Sequence, residues 1–381
     1  MHTVEKLNFG IVGAAGRGKD FAAALQAHPA IRIHAICDVR AEELDAAAGR
    51  FYSAQTGETR HDQIERYVSY GDMLEKSKID AVIIGTPMHF HAFQAMAALR
   101  QDIHVLCEVT AGISIEECQE LVRAAQASKG IYMMAENYAY IRENVLVREL
   151  VRQGLFGEVY YAEGEYLHEL KELNEITRWR RTWQTGIDGI TYGTHSLGPI
   201  LQWMPGDRVQ QVSCAGSGHH YKDTHGDLYE NQDSCVMLCK SAEGRLIKIR
   251  VDMLSNRPHA MTNYSLQGTK GCYESARSEQ ETGKIWLSEL CTDANQWMDL
   301  DDLNAQYLPA MWRNPPPEAL RAGHGGGDYF EVLDFINAIL DGKPNPVGIH
   351  EAMDMTLPGL VSQESISHNS DWLDVPDSRT W

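Results

Sequence analysis

A glycine-rich turn near the start constrains this chain more than any other stretch. The apolar segment Phe9 to Val12 runs into Gly13-Ala14-Ala15-Gly16-Arg17-Gly18, and a helix-forming stretch, Asp20 to Ala27, follows. A dinucleotide-binding turn wants glycines where the chain reverses tightly, where its backbone approaches a pyrophosphate, and where the helix packs on the strand. Gly13 and Gly18 fill the outer two of these positions. Ala15 stands where the middle glycine usually falls, with Gly16 beside it. A second apolar segment, Ile31 to Cys37, ends in Asp38, at about the twenty-residue spacing the fingerprint expects. A carboxylate there accepts hydrogen bonds from ribose hydroxyls and repels a 2′-phosphate. The pattern points to NAD over NADP, with Arg40 as the nearby residue that would favour the phosphate.

Strand and helix patterns alternate up to about Asn137, the signature of a parallel sheet covered on both faces. Ile79 to Gly85 is a near-continuous apolar run, as expected of a strand buried on both sides, and it ends in Thr86-Pro87-Met88-His89-Phe90-His91. The next strand, Ile103 to Cys107, ends in Glu108-Val109-Thr110, and a further one, Gly130 to Ala135, delivers Glu136, Asn137 and Tyr138. All three strand ends fall at the carboxyl edge, where open α/β sheets bind ligands. Between them, Ser114 with Glu117 three residues on makes a capping box. Ile115, Cys118, Leu121, Val122 and Ala125 give the helix that follows its apolar face.

Past Asn137 the pattern changes. Glu143 to Gln153 reads as a helix closed by Gly154. Strands of alternating character follow at Glu158 to Tyr166, Val209 to Ala215, Asp233 to Lys240, Arg245 to Met253 and Asn263 to Gln267. Two helices finish the chain, about Tyr329 to Leu340 and His350 to Ser367, and Pro358 is expected to kink or interrupt the second. The expected fold is an α/β N-terminal Rossmann domain with a parallel sheet, residues 1–137. An α+β domain with a mostly antiparallel, open-faced sheet follows at residues 138–381, for substrate binding and oligomerisation.

Composition removes several function classes. The 381 residues carry a formal net charge of -19, against the basic surface that nucleic acids and anionic membranes demand. Met1 to Lys6 is polar, with no apolar leader, and no run in the chain is long enough to span a bilayer. A cytoplasmic enzyme is the expectation. Of the eight cysteines, Cys37, Cys107 and Cys118 fall within elements rather than in a disulfide framework, and Cys235 with Cys239 reads as strand packing. His219, His220 and His225 lack a ligand spacing, so no metal is expected.

The order of glycine-rich turn, Asp38, Thr86-Pro87 to His91, Glu108, then a helix and an antiparallel sheet resembles the Gfo/Idh/MocA family of NAD(P)-dependent sugar and inositol oxidoreductases. The resemblance covers nearly the whole chain. In the ordinary dehydrogenases of that family the strand end matching Glu108 reads Glu-Lys-Pro, and the lysine assists proton transfer. Val109 occupies that position here. Their Asp-x-Gly-x-His segment is matched by Thr191-Tyr192-Gly193-Thr194-His195, with threonine for aspartate. These departures, with Asn137, Gly164 to Leu170, Trp179-Arg180 and Tyr307 to Trp312, resemble the NAD-dependent glycosidase branch, typified by α-N-acetylgalactosaminidases.

The resemblance implies a redox-neutral hydrolysis. The sugar's 3-position is oxidised by NAD, the acidified 2-hydrogen is removed, the aglycone is eliminated, water adds, and the hydride returns. It implies Tyr192 and His195 as the acid–base pair; a phenol acts as a base only beside a positive charge that lowers its pKa. It implies substrate contacts from Tyr166, His168, Arg180, Tyr192, Thr194, His195 and Tyr307. Cofactor contacts would come from Gly13, Ala15, Gly16, Arg17, Gly18, Asp38, Arg40, Thr86, Pro87, His89, His91, Glu108, Val109 and Asn137. Of the two histidines, His91 is the one expected near the nicotinamide. The partner is a small-molecule glycoside, and family analogy implies a homo-oligomer, a dimer or tetramer. The rival readings are a sugar or cyclitol dehydrogenase and a non-catalytic NAD(H)-binding sensor. Lys171, Arg178, Arg180 and Arg181 leave room for an anionic sugar, and Gly323-His324-Gly325-Gly326-Gly327 is a flexible stretch with no assigned role.

Overall fold

The computed structural model describes residues 6–51, 63–258, 260–278 and 280–381. Most of the polar N-terminal stretch, residues 1–5, lies outside the described residues. The chain divides into two compact units. One comprises Met1–Tyr140, Pro315–Met353 and Trp381; the other comprises Ile141–Asn314 and Asp354–Thr380.

The first unit holds a six-stranded sheet of β1 (Leu7–Val12), β2 (Ile31–Cys37), β3 (Glu65–Tyr67), β4 (Ala81–Ile84), β5 (His104–Glu108) and β6 (Tyr132–Ala135), in the order β3-β2-β1-β4-β5-β6. Every pair is parallel. All four residues of β4 are buried, which is why its sequence shows no alternation. Strand order reverses between β1 and β4, and that reversal opens a crevice at the carboxyl ends of the strands. Ser114 caps its helix as expected: its hydroxyl accepts from the Glu117 amide at 3.2 Å, and the Glu117 carboxylate accepts from the Ile113 amide at 3.1 Å. The late segment Pro315–Met353 belongs to this unit. Its helix Gly327–Asp341 sets Phe335 edge-on against Phe9 of β1 at 6.1 Å, and the Met134 amide of β6 donates to the Val347 carbonyl at 2.9 Å.

The second unit carries a nine-stranded sheet. Its strands are β7 (Val159–Leu167), β8 (Val209–Gly216), β9 (Cys235–Ser241), β10 (Leu246–Asp252), β11 (Met261–Gly268), β12 (Gly271–Glu274), β13 (Lys284–Leu287), β14 (Met298–Asp299) and β15 (Leu373–Asp374). The order is β14-β13-β12-β11-β7-β10-β9-β8-β15, antiparallel throughout except for the pair β7 and β10. Along β7, Ala162, Gly164 and Tyr166 are buried while Glu163 and Glu165 are not. The latter pair faces Lys248 and Arg277, in ion pairs of 2.5 and 2.8 Å. The buried face receives the helix Thr194–Trp203, and it does so at Gly164: a Cβ there would lie 2.4 Å from the Ser196 carbonyl oxygen.

The interruption expected at Pro358 does not occur: the last helix runs unbroken from Ile349 to Ser367. A proline costs the helix one hydrogen bond and a clash, but Leu357, Val361 and Ser362 around it are all buried. Burial of these residues offsets that cost, so the helix continues past the proline.

Candidate active site

In the first unit the glycine-rich turn is built as its sequence requires. Gly13 has φ +78°, and a Cβ there would lie 2.4 Å from the Gly85 carbonyl oxygen at the end of β4. Gly18 would place a Cβ 2.8 Å from Ile11 and 2.9 Å from the Gly13 carbonyl. These two glycines let the turn fold back on β1 and β4. At Gly16 a Cβ would meet the Gly13 carbonyl oxygen at 3.6 Å and Arg40 at 3.7 Å, ordinary contacts that demand no glycine for space. Ala15, buried beside it, donates its amide to Asp38 at 2.9 Å. Asp38 ends β2 as a buried carboxylate, and it also accepts from the Arg40 amide at 3.1 Å and from Arg40 Nε at 3.0 Å. Burial alone would raise the pKa of Asp38, but the hydrogen bonds from Arg40 and Ala15 outweigh it and hold the carboxyl below its ordinary range. The residue that would favour a 2′-phosphate is thus already paired with the residue that rejects one.

The other strand ends are closely tied. The Thr86 hydroxyl donates to Gln94 at 2.6 Å, and Pro87 caps the short turn Met88–Phe90. The ring nitrogens of His91 lie 2.8 Å from the carbonyls of Thr110 and Thr86. Burial pushes His91 towards its neutral form, and a neutral ring has a single N–H for those two acceptors. His91 is therefore a tie between two strand-end loops. His89 is half-buried, with its ring 4.0 Å from that of Phe90. Val109 is 3 % exposed, packed rather than presented.

Asp328 and His324, to which the sequence pattern assigned no role, join three predicted cofactor residues, Arg17, Glu108 and Asn137, in a buried polar network. Asp328, 1 % exposed, opens the helix Gly327–Asp341. It accepts from Arg17 Nη1 at 2.8 Å, Arg17 Nη2 at 3.0 Å and Asn137 Nδ2 at 3.1 Å, and His324 Nδ1 lies 2.9 Å away. Arg17 reaches on to Glu108 at the end of β5, Nε to Oε1, at 2.6 Å. Burial pushes the Asp328 pKa up, but hydrogen bonds from His324 and Arg17 overcome it and hold the carboxyl far below its usual range. The His324 pKa is raised by the same contact, against its burial. His324, Gly325 and Gly326 follow one another in the left-handed region, at φ 53°, 63° and 97°. A histidine with positive φ is uncommon. A glycine run that holds a histidine four residues before an aspartate was the signal available in the sequence.

In the second unit, four of the predicted substrate residues come together. The Tyr166 ring lies 5.6 Å from His168, 5.5 Å from Tyr192 and 5.5 Å from His195, and Tyr192 lies 5.3 Å from His195. The Tyr166 hydroxyl and His168 Nδ1 are 2.8 Å apart. His195 sits in the first turn of the helix Thr194–Trp203, whereas Tyr192 precedes that helix, so the two do not share a helix face. Tyr264 of β11 fixes the turn by donating to the His195 carbonyl at 2.5 Å. Tyr192 is half-buried and His195 is 6 % exposed. The Thr194 hydroxyl is buried with no hydrogen-bond partner among the described residues.

The remaining predicted contacts are less concentrated. Arg180 stacks on Trp179 and donates to Thr177 and Gln184. The Tyr307 hydroxyl is 3.0 Å from Gln306. Two of the four cations that left room for an anionic sugar are paired with carboxylates. Arg181 pairs with Asp223 at 3.1 Å and Glu230 at 2.5 Å, and Lys171 pairs with Glu169 at 3.3 Å. No group of three or more potential metal ligands occurs among the described residues, and no described helix is long and apolar enough to cross a membrane.

Residues 140–380 match the family model for the glycosyl hydrolase 109 C-terminal domain. The chain belongs to the glycosyl hydrolase 109 family. Residues 7–136 of this family 109 enzyme match the oxidoreductase family with an NAD-binding Rossmann fold. A glycosyl hydrolase family 109 protein of Saccharopolyspora erythraea is 28% identical, over 98% of this chain and 83% of that one. An α-N-acetylgalactosaminidase of Shewanella oneidensis is also 28% identical, over 98% and 85%. Among solved structures, a levoglucosan dehydrogenase in complex with NADH and levoglucosan aligns with a TM-score of 0.79 at 22% identity, covering 98% of this chain and 100% of that one. At that identity the likeness is one of fold. The close turn at Gly13 and the buried carboxylate of Asp38 fit a dinucleotide, and the enzyme is an NAD-dependent glycosidase.

Proposed function

We propose that Tyr192 and His195 are the acid–base pair of this NAD-dependent glycoside hydrolase, with Tyr166 and His168 beside them on the substrate. The observation that carries the assignment is the ring cluster itself, with Tyr166 5.5–5.6 Å from each of His168, Tyr192 and His195, and Tyr192 5.3 Å from His195. An ordinary glycosidase works with two carboxylates flanking the scissile bond. A route through oxidation at carbon 3 needs instead groups that exchange protons at the 3-hydroxyl, at the 2-hydrogen and at the leaving oxygen, each worth roughly 10²- to 10⁴-fold.

Bound NAD supplies a hydride acceptor that is regenerated within the turnover. The chain supplies the rest. The imidazole of His195 is the second proton-exchanging group, and Tyr264 holds its backbone in place. The Tyr166–His168 hydrogen bond fixes both side chains before substrate arrives, which lowers the cost of orienting it. Arg180 and Tyr307 are proposed to contact sugar hydroxyls. Residues 1–137, with Pro315–Met353 that folds in the same unit, are assigned to the cofactor, and the rest of residues 138–381 to substrate binding and oligomerisation, as a cytoplasmic homo-oligomer. The Shewanella relative makes an α-N-acetylgalactosaminide the first substrate to try.

The test is a panel of p-nitrophenyl α- and β-glycosides incubated with and without NAD⁺, with nitrophenol and NADH followed together. Nitrophenol without stoichiometric NADH is expected, and Tyr192→Phe is expected to lower kcat by roughly 10²- to 10⁴-fold. NADH accumulating while the glycoside stays intact would instead establish a sugar dehydrogenase on this fold.

A further inference from the structure

We propose that Asp328 positions the cofactor turn through Arg17 and, together with Glu108, supplies the negative charge that makes this site prefer the oxidised nicotinamide to the reduced one. The inference rests on the NAD-dependent reading above. Arg17 lies inside the glycine-rich turn, where a cationic side chain would ordinarily be assigned to the pyrophosphate. Its guanidinium is already engaged: Nε donates to Glu108, Nη1 to Asp328 and Asp20, and Nη2 to Asp328. Four of its five N–H donors are thereby committed to carboxylates. The side chain is a strut that joins the turn after β1 to the end of β5 and to the start of the helix Gly327–Asp341, leaving cofactor contact to the backbone of the turn.

The charge balance around the strut is not neutral. One guanidinium faces two shielded carboxylates, Glu108 with its side chain 11% exposed and Asp328 with its side chain 0% exposed. Asp20, also on Arg17, is more open to solvent at 39%, so its field is screened. His324 adds a positive charge only when protonated. Burial pushes the pKa of Glu331, one turn along the helix from Asp328, well above the ordinary carboxylate range, and Glu331 makes no hydrogen bond to Arg17. With His324 neutral, the shielded cluster holds one excess negative charge.

Strand order says which half of a dinucleotide meets it. Asp38 ends β2, on one side of β1, and takes the adenosine ribose. Glu108 and Asn137 follow β5 and β6, on the other side of β1, so the nicotinamide half falls on theirs. The oxidised ring is a cation and the reduced ring is neutral, so the excess charge acts on one and not the other. A redox-neutral cycle begins and ends with oxidised cofactor, and a site that favours the cation rests in its competent state.

The experiment is direct binding to the full-length protein, with NADH followed by its fluorescence and NAD⁺ by calorimetry. Wild type is compared with Asp328→Asn, Glu108→Gln and Arg17→Lys, each checked for folding by circular dichroism. Removing either carboxylate charge is expected to shift the ratio of the two dissociation constants about tenfold towards NADH, on the scale of one partly buried charge at short range. Arg17→Lys keeps the charge and loses the fork, so it is expected to weaken both cofactors together. Equal weakening of both by Asp328→Asn and Glu108→Gln, or no change, would overturn the charge preference. Undiminished binding to Arg17→Lys would overturn the strut. A wild-type protein that binds neither cofactor would overturn the functional reading, a result distinct from binding with an unmoved ratio.

Discussion

Gly164→Ala should damage catalysis without touching a reacting group. Gly164 lies on β7 where the helix carrying His195 crosses the sheet, and an added Cβ would sit 2.4 Å from the Ser196 carbonyl and 3.0 Å from the Ile200 side chain. The first of these atoms is backbone, so no rotamer change relieves the clash. To reach ordinary contact, near 3.4 Å or beyond, the helix must lift by about 1 Å. Overpacking of this kind costs roughly 1–3 kcal/mol, which lowers Tm on the order of 2–12 °C for a unit of this size. His195 stands in the first turn of that helix, one residue from the clash, and Tyr192 comes just before it. A displacement of about 1 Å in a positioned group costs about 10²-fold in rate. Nitrophenol release and thermal melting are measured on the same preparation, with Gly49→Ala as control. Gly49 meets nothing within 4 Å and lies in the helix Leu44–Arg50, so alanine there should leave rate unchanged and stability equal or up to about 1 kcal/mol higher. A Gly164→Ala enzyme that melts and turns over like wild type would refute the close approach. One that melts lower but keeps its rate would refute the link between helix position and catalysis.

Two further outcomes follow from the first unit. Asp38→Ser removes the carboxylate that rejects a 2′-phosphate and releases Arg40 to meet it. NAD⁺ affinity should fall roughly tenfold to a hundredfold, as for loss of hydrogen bonds to a charged group, while NADP⁺ affinity rises; a variant that binds NADP⁺ no better would refute the role of Arg40. The Asp328–His324 pair has a pH signature on stability. The raised His324 pKa contributes stability that is full below its unfolded value and lost as pH rises through the folded one, while the lowered Asp328 pKa contributes stability that is lost only as pH falls through its folded value. The pair is therefore at full strength between roughly pH 4 and 6.5 and weakens above that. Asp328→Asn should flatten the fall in Tm between about pH 6 and 8, and an unchanged slope would refute the assignment.

Much of the first unit was legible because its constraints are local. Gly13, Gly18 and Asp38 each answer to a backbone turn or a strand end within about thirty residues, and the buried strand Ala81–Ile84 announces itself by being apolar on both faces. The edge strand Glu65–Tyr67 carries no such mark: its three residues are half-buried and polar in character. In the second sheet, Gly271–Glu274 and Lys284–Leu287 are too short for alternation to establish a period. The ring cluster was half legible. Tyr166 and His168 alternate as strand residues do, but their meeting with Tyr192 and His195 depends on the helix docking at Gly164, which is a tertiary fact.

The Asp328 network shows the harder limit. Its members stand at positions 17, 108, 137, 324 and 328, and the only mark near Asp328, the glycine run holding His324, does not say which distant residues it meets. A helix starting with Gly327-Asp328 reads as ordinary, since an acid near a helix N-terminus is favoured by the dipole alone. What separates this carboxylate from any other at a helix start is that three donors from three separate stretches converge on it in a buried space. A carboxylate buried without partners would be forced towards neutrality, as Glu331 one turn further along the same helix is. Two acids on one helix thus have their pKa values moved in opposite directions, and what sets them apart is the arrival of Arg17, Asn137 and His324 at the first and not at the second.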